Sequence, residues 1–160
     1  QAWTAVMSDH GALNGLKAAR DRGLISHIGI SSHSLEVLRM AIESGEFETV
    51  MLEYSAFFPE TEALIGLAKE RDVGTIAMRP LGGSGRMSSL RTLMDTSDHH
   101  TDLTPARLLE FVLSNPDISV AIPGARYPSR VRANVDLALS YRPLDEIERE
   151  ACVEEAKLLT

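Results

Sequence analysis

Basic residues are in the minority in this 160-residue chain: 16 Lys and Arg stand against 23 Asp and Glu, for a formal net charge of −7. With no broad basic surface to release counterions, this balance argues against non-specific binding to nucleic acid or to an anionic membrane. Any anion site must be local. Cysteine is nearly absent: Cys152 is the single one, beside Val153 in the last predicted helix, and it has no internal disulfide partner. That suits a reducing compartment, and a cytoplasmic setting is expected. No apolar run approaches the length of a membrane span, and no basic stretch precedes an apolar one as in a signal peptide. The chain opens with Gln1 rather than Met, a hint that something lies upstream. What is present, 44% hydrophobic and 24% charged residues, is enough for one globular unit spanning residues 1–160 with its own core.

The punctuation along the chain is regular. Gln1 to His10 shows no clear period and is expected to be a loop or frayed start. From Gly11 to Arg22 the apolar Leu13, Leu16 and Ala19 recur at helical spacing, with Gly23 as a left-handed cap. A strand is predicted at His27 to Ser31. Ser34 then caps a helix with the stripe Leu35, Leu38, Ala41 and Ile42, stopped by Gly45. Thr49 to Glu53 reads as the next strand. Pro59 and Glu60 open a helix with Leu64, Leu67 and Ala68 inward, ending at Val73-Gly74. Thr75 to Met78 follows as a short strand, and Pro80 to Gly85 as a glycine-rich loop. The polar stretch from Arg86 to Asp102 is expected to be a mobile excursion and the one candidate wall of a substrate pocket. Thr104 caps and Pro105 starts a helix that Asn115-Pro116 ends, and Pro143-Leu144-Asp145 begins a final amphipathic helix.

Between those two helices lies the stretch that organises the rest. Ile118 to Ile122 is a β-branched run that ends in Pro123-Gly124, and a helix opens at Pro128, where a first-turn proline loses no hydrogen bond. Unpaired N–H groups at that helix start, with Arg126 and Arg130 beside them, make a site for an anion of phosphate size; the plainer reading is a loop with two solvated arginines. Four strands, each followed by a helix and none joined by a hairpin, imply parallel pairing with right-handed crossovers. An open doubly wound sheet and part of an eight-stranded (β/α) barrel both fit, and in either one ligands sit at the carboxyl ends of the strands.

The order and spacing of several segments carry a resemblance. Gly11-Ala-Leu through Gly23, Ile28-Gly-Ile-Ser-Ser-His-Ser, Ala77-Met-Arg-Pro-Leu-Gly-Gly and Ala121-Ile-Pro-Gly-Ala together resemble the aldo-keto reductase family, over Gly11 to about Glu150. The resemblance implies a parallel (β/α) TIM barrel that binds a nicotinamide cofactor, NADP with NAD as the second choice, extended across the strand ends. It also implies reduction of a small-molecule carbonyl substrate. The GxGxxG fingerprint of other dinucleotide folds does not occur here.

Carried onto this sequence, the resemblance implies that Ser31 and Ser32 hold the nicotinamide carboxamide, Ser32 standing where the family has asparagine. Met51 stands where a glutamine completes that grip, and Met78 where a tyrosine underlies the ring; a thioether supplies a sulfur–ring contact there. Arg79, Leu81, Gly82 and Gly83 match the loop along the pyrophosphate. Gly124 replaces a lysine that often meets the 2′-phosphate. Arg130 and Asn134 match the arginine and asparagine at the adenosine end, with Arg126 an extra candidate.

The family's acid/base set of tyrosine, lysine, aspartate and histidine belongs to the first half of the barrel, and no matching pair is found among Tyr54, Tyr127, Tyr141, Lys17, Lys69 and Lys157. No catalytic residue is therefore assigned. A barrel of this type needs about 250 residues. The chain is expected to be about its C-terminal half, the fifth to eighth strands, with the other half supplied by the same longer chain, by a second copy or by another chain. A non-catalytic barrel-derived module that binds nucleotide or a partner protein is the alternative. Asp98-His99-His100 with Asp102 has metal-ligand residue types, but adjacent histidines in a polar loop point apart, and no metal site is assigned. His33 reads either as a substrate contact or as a plain strand end. Glu53-Tyr54 at a strand end reads either as acid/base groups or, the reading preferred here, as a structural pair supporting the cofactor.

Overall fold

A computed structural model describes residues 2–83 and 102–159. Its centre is one sheet of four parallel strands in sequential order: β1 (Gly29–Ser31), β2 (Thr49–Glu53), β3 (Gly74–Met78) and β4 (Val120–Ile122). Helices α1 (Ala2–Met7) and α2 (Ala12–Asp21) precede β1, α3 (Leu35–Ser44) joins β1 to β2, and α4 (Glu62–Glu70) joins β2 to β3 after a 3₁₀ turn at Pro59–Thr61. α5 (Pro105–Leu113) leads into β4, and α6 (Pro128–Ser140) and α7 (Glu146–Leu158) follow it. Strands in sequential order with helical crossovers are the arrangement of a (β/α) barrel, here about half of one, rather than of a doubly wound sheet.

The predicted boundaries hold where a cap states them. Ser34 Oγ accepts from the Val37 N–H, and Gly45 takes φ 70° at the far end of α3. Thr104 Oγ1 accepts from the Arg107 N–H ahead of Pro105, while Asp145 and Glu148 form a reciprocal capping box on α7. The opening residues differ from expectation: residues 2–7 are helical rather than frayed. Trp3 packs with its ring 6.2 Å from that of Phe47, and α1 lies so close to Gly11 that a Cβ there would meet the Ala5 and Val6 carbonyl oxygens at 2.3 Å. The end strands are shorter than predicted, and Leu35 is exposed rather than part of the buried stripe Leu38, Ala41 and Ile42. The polar excursion expected from Arg86 onwards, with Asp98, His99 and His100, lies outside the described residues up to its last member Asp102, as does Gly85 of the glycine-rich loop.

Alternation gives the sheet two unlike faces. Val50, Leu52, Thr75 and Ala77 are buried on the face that meets the helices, with Leu38, Ile42, Leu64, Ile65, Leu108 and Val112 packed over them. The opposite face carries Thr49, Met51, Glu53, Ile76 and Met78, all only half-buried, and Val120 and Ile122 are exposed there at 49% and 45%. At the amino ends of the strands Glu48 accepts from the Ile28 N–H and pairs with Arg20 at 3.0 Å. The backbone bond from Ile28, with the nearby charge of Arg20, holds that carboxyl below its ordinary range. Thr75 Oγ1 donates to the Asp117 carbonyl at 2.6 Å and accepts from the Ser119 N–H, stitching β3 to the approach of β4.

Candidate functional site

The register draws the site residues into rows. Ser31 pairs with Met51, Met51 with Ile76 and Ile76 with Val120; one step nearer the carboxyl ends, Glu53 pairs with Met78 and Met78 with Ile122. Register partners share a face, so Ser31, Met51, Glu53 and Met78 lie together on the uncovered side of the sheet. Ser32 continues the ladder through its N–H to the Met51 carbonyl at 3.2 Å. Its hydroxyl accepts from the Ser34 N–H at 3.0 Å, which turns the chain into α3 and leaves the hydroxyl proton available to a ligand.

Beyond β3 the backbone makes a turn with three left-handed residues. Arg79 has φ 53°, Gly82 φ 78° and Gly83 φ 82°, and the Gly82 N–H closes the turn on the Arg79 carbonyl at 2.8 Å. Glycine is required at 82, where a Cβ would stand 2.5 Å from the Phe57 ring. Leu81 packs against the core beneath the turn.

Beyond β4 the chain passes Gly124 and Arg126 to α6. Tyr127 occupies the N-cap with extended backbone and no side-chain capping bond, no acidic residue lies in the first turn, and Pro128 has no N–H to satisfy. Arg126 and Arg130 are exposed at this terminus, the Arg130 guanidinium 5.9 Å from the Tyr127 ring centroid, and Asn134 follows one turn later. Gly124 has open space around its Cβ position. The predicted residues are thus distributed over the carboxyl ends of β1, β3 and β4 and the helix that follows β4, apart from Met51, which sits one row below the end of β2.

Two features were not foreseen. Glu53 binds across the rim: its Oε2 lies 3.2 Å from His33 Nδ1 beyond β1 and 3.3 Å from an Arg79 guanidinium nitrogen beyond β3. His33 is therefore a hydrogen-bond partner of Glu53 and not a bare strand end. Glu53 and Tyr54 also part company, since alternation turns Tyr54 to the helical side. There its fully buried hydroxyl is shared by Glu62, Arg149 at 2.7 Å and Asn115 at 3.3 Å, with Arg149 also paired to Glu62 and lying 5.2 Å from the centre of the Phe111 ring. Burial pushes the Tyr54 hydroxyl above the ordinary tyrosine range, with Asn115 and Arg149 opposing the shift. Tyr54 is a structural anchor and not an acid facing the rim. The signal for the split was the period of two in β2; the partners of Tyr54, up to 95 residues away, had none. No group of three or more metal-ligating side chains exists among the described residues, and none of their helices is long and apolar enough to cross a membrane.

A model of the aldo/keto reductase family matches residues 6–154, and the chain belongs to that family. An aldo-keto reductase of Gibberella moniliformis is 40% identical over 73 residues, a stretch that covers 44% of this chain and 22% of that protein. Among solved structures, the holo form of the aldo-keto reductase AKR11C1 from Bacillus halodurans superposes with a TM-score of 0.68 at 20% identity, over 92% of this chain and 54% of that one. A thermostable aldo-keto reductase solved with the inhibitor epalrestat gives 0.63 at 20% identity, over 89% of this chain and 53% of its own. The chain spans about half the length of these solved relatives.

Proposed function

We propose that this chain is the cofactor-binding half of an NADPH-dependent reductase of aldehydes or ketones, with NADH the weaker alternative. The observation that carries the reading is the shared rim. The hydroxyls of Ser31 and Ser32, the thioether of Met78, the turn from Arg79 through Leu81 to Gly83, and the uncapped start of α6 with Arg126, Arg130 and Asn134 lie along the carboxyl-end rim of one parallel sheet, with the Met51 thioether one row lower. That sequence of groups suits an extended dinucleotide: amide-bonding hydroxyls at one end, a glycine turn that lets a ligand approach the backbone closely in the middle, and an arginine-rich helix start for a terminal phosphate. When bound, such a cofactor supplies the hydride. The acid that completes carbonyl reduction is assigned to no residue of this chain, and the open inner face with Val120 and Ile122 supports a second half-barrel, from the same longer chain, as its source. A buried, unpaired Cys152 suits a reducing cytoplasm.

The test is cofactor preference in the complete protein. Arg130→Ala is expected to weaken NADPH about tenfold or more, in line with the loss of a charge-assisted contact, and NADH much less. Equal losses for the two cofactors would remove the 2′-phosphate assignment.

A further inference from the structure

Alternation along β3 would send the side chain of residue 79 to the helical side, the way Tyr54 goes after Glu53. Arg79 goes the other way. Its backbone is left-handed at φ 53°, and its guanidinium reaches back over the rim to Glu53 on the uncovered face, with one terminal nitrogen 3.3 Å from Oε2. We propose that Glu53 is a positioning residue for the cofactor's diphosphate: it aims the Arg79 guanidinium, and Arg79 meets the phosphates. The inference rests on the cofactor reading above, which sets the turn from Arg79 to Gly83 along the diphosphate.

Three observations carry it. A left-handed backbone is uncommon for a residue with a side chain, and among the described residues only Asp72 and Arg79 adopt it without being glycine. Asp72 closes the end of α4, its N–H bonded to the Lys69 carbonyl, a place where helices routinely take that shape. Arg79 ends no helix, so its conformation has no such local reason, and what it achieves is to bring the guanidinium to the Glu53 side of the sheet. The two partners are also unequally placed. Glu53 is 12% exposed and Arg79 53%, so the carboxylate is the fixed member and the guanidinium the one that faces a ligand. His33 Nδ1 lies 3.2 Å from the same Oε2 and steadies the carboxylate from beyond β1. Lastly, Glu53 takes one guanidinium nitrogen and no other group among the described residues pairs with Arg79, so its remaining N–H groups are open to an anion. The stem of Arg79 runs along the glycine turn itself, with Cδ 3.5 Å from the place a Gly83 Cβ would occupy.

A long side chain loses rotamer freedom when it grips a ligand. Held beforehand by Glu53, Arg79 has less to lose, and its planar fork keeps the carboxylate on one nitrogen while the others bind phosphate. Against this gain stands the repulsion between carboxylate and phosphate, so the sign of the effect of neutralising Glu53 distinguishes a group that aims Arg79 from one that only opposes the ligand.

The experiment is a double-mutant cycle on the complete protein, with NADPH binding followed by its fluorescence and adenosine 2′-phosphate, which has no diphosphate, as the control ligand. Arg79→Gly accepts the left-handed backbone without strain and removes only the side chain. It is expected to weaken NADPH about tenfold, equivalent to about 1.4 kcal/mol, and to leave adenosine 2′-phosphate unchanged. Glu53→Gln is expected to weaken NADPH about threefold when Arg79 is present and not at all in the Arg79→Gly background. That dependence on Arg79 is what a merely structural role for Glu53 would not produce. Arg79→Lys, which keeps the charge but loses the fork, is expected to bind NADPH with an affinity between those of the wild type and Arg79→Gly. Retained binding of adenosine 2′-phosphate shows that a variant is folded; should Glu53→Gln lose it, Glu53→Asp, which withdraws the carboxylate by one methylene, takes its place with the same expectation. Additive losses, an NADPH affinity unchanged or raised in the Glu53 variant, or no loss in Arg79→Gly would overturn the assignment while the cofactor reading stands. If the wild type binds neither NADPH nor adenosine 2′-phosphate, the cofactor reading fails and the assignment falls with it.

Discussion

Tyr54 shows how much one hydroxyl can organise. Glu62, Asn115 and Arg149 come from α4, the approach to β4, and α7, and all converge on it. Tyr54→Phe removes the shared atom and leaves three polar groups to repartner in a buried setting, for which a loss of about 1–3 kcal/mol in unfolding free energy is expected by denaturant titration; a value within error of zero would mean that Arg149 and Glu62 suffice by themselves. Glu148 makes a different, titratable contribution. Arg142 at 2.6 Å, the Asp145 N–H and Arg107 hold its carboxyl down to about 2 from its ordinary 4.5. A carboxyl with a lowered folded-state pKa stabilises fully above its unfolded value and loses that contribution as pH falls towards the folded one. The gap in Tm between the wild type and Glu148→Gln is therefore expected to be constant from pH 7 to 5 and to narrow between pH 4.5 and about 2. A gap that stays the same down to pH 3 would rule out this linkage.

At the scale of elements, legibility followed the caps. Thr49–Glu53 carries its predicted bounds because its alternation is complete and helices with clear starts and stops flank it. Ser34, Thr104, Pro105 and Pro128 mark their helices for the same reason: each satisfies or dispenses with an orphan N–H that the local sequence alone creates. α1 escaped because six residues are less than two turns and show no period; its helix is held by Trp3 against Phe47, a contact between distant parts of the chain. The contacts of Glu53 escaped likewise, since His33 and Arg79 follow other strands, 20 and 26 residues away. Caps also set the expected cost of small changes. Thr104→Ala is expected to cost about 1 kcal/mol, measured by chemical unfolding. Gly82→Ala places a methyl 2.5 Å from the Phe57 ring at φ 78°, and is expected to displace the Arg79 turn and weaken NADPH at least as much as it lowers Tm. Unchanged NADPH affinity in that variant would separate the turn from the cofactor.

Taken together, the described residues form a half-barrel, with β1 and β4 as edges that have no neighbour among the described strands and an inner face that is only half covered. Parallel sheets are covered on both faces in stable proteins, so the value of Val120 depends on what closes the barrel. Val120→Asp is expected to change the unfolding free energy of the isolated 160-residue chain by less than about 0.5 kcal/mol, as for other exposed positions. If the second half-barrel proposed above closes over this face, the same substitution in that longer protein buries an unpaired carboxylate and is expected to cost about 3 kcal/mol or more. Equal small effects in both would show that Val120 stays in water when the protein is whole.

Gly124 has a last consequence. Its φ lies outside the left-handed range and nothing stands within 4 Å of its Cβ position, so the backbone there accepts any ordinary side chain without strain. It is an exposed position two residues before Arg126, and on the cofactor reading proposed above a long cation introduced at 124 is expected to favour the phosphorylated nucleotide and a carboxylate the unphosphorylated one.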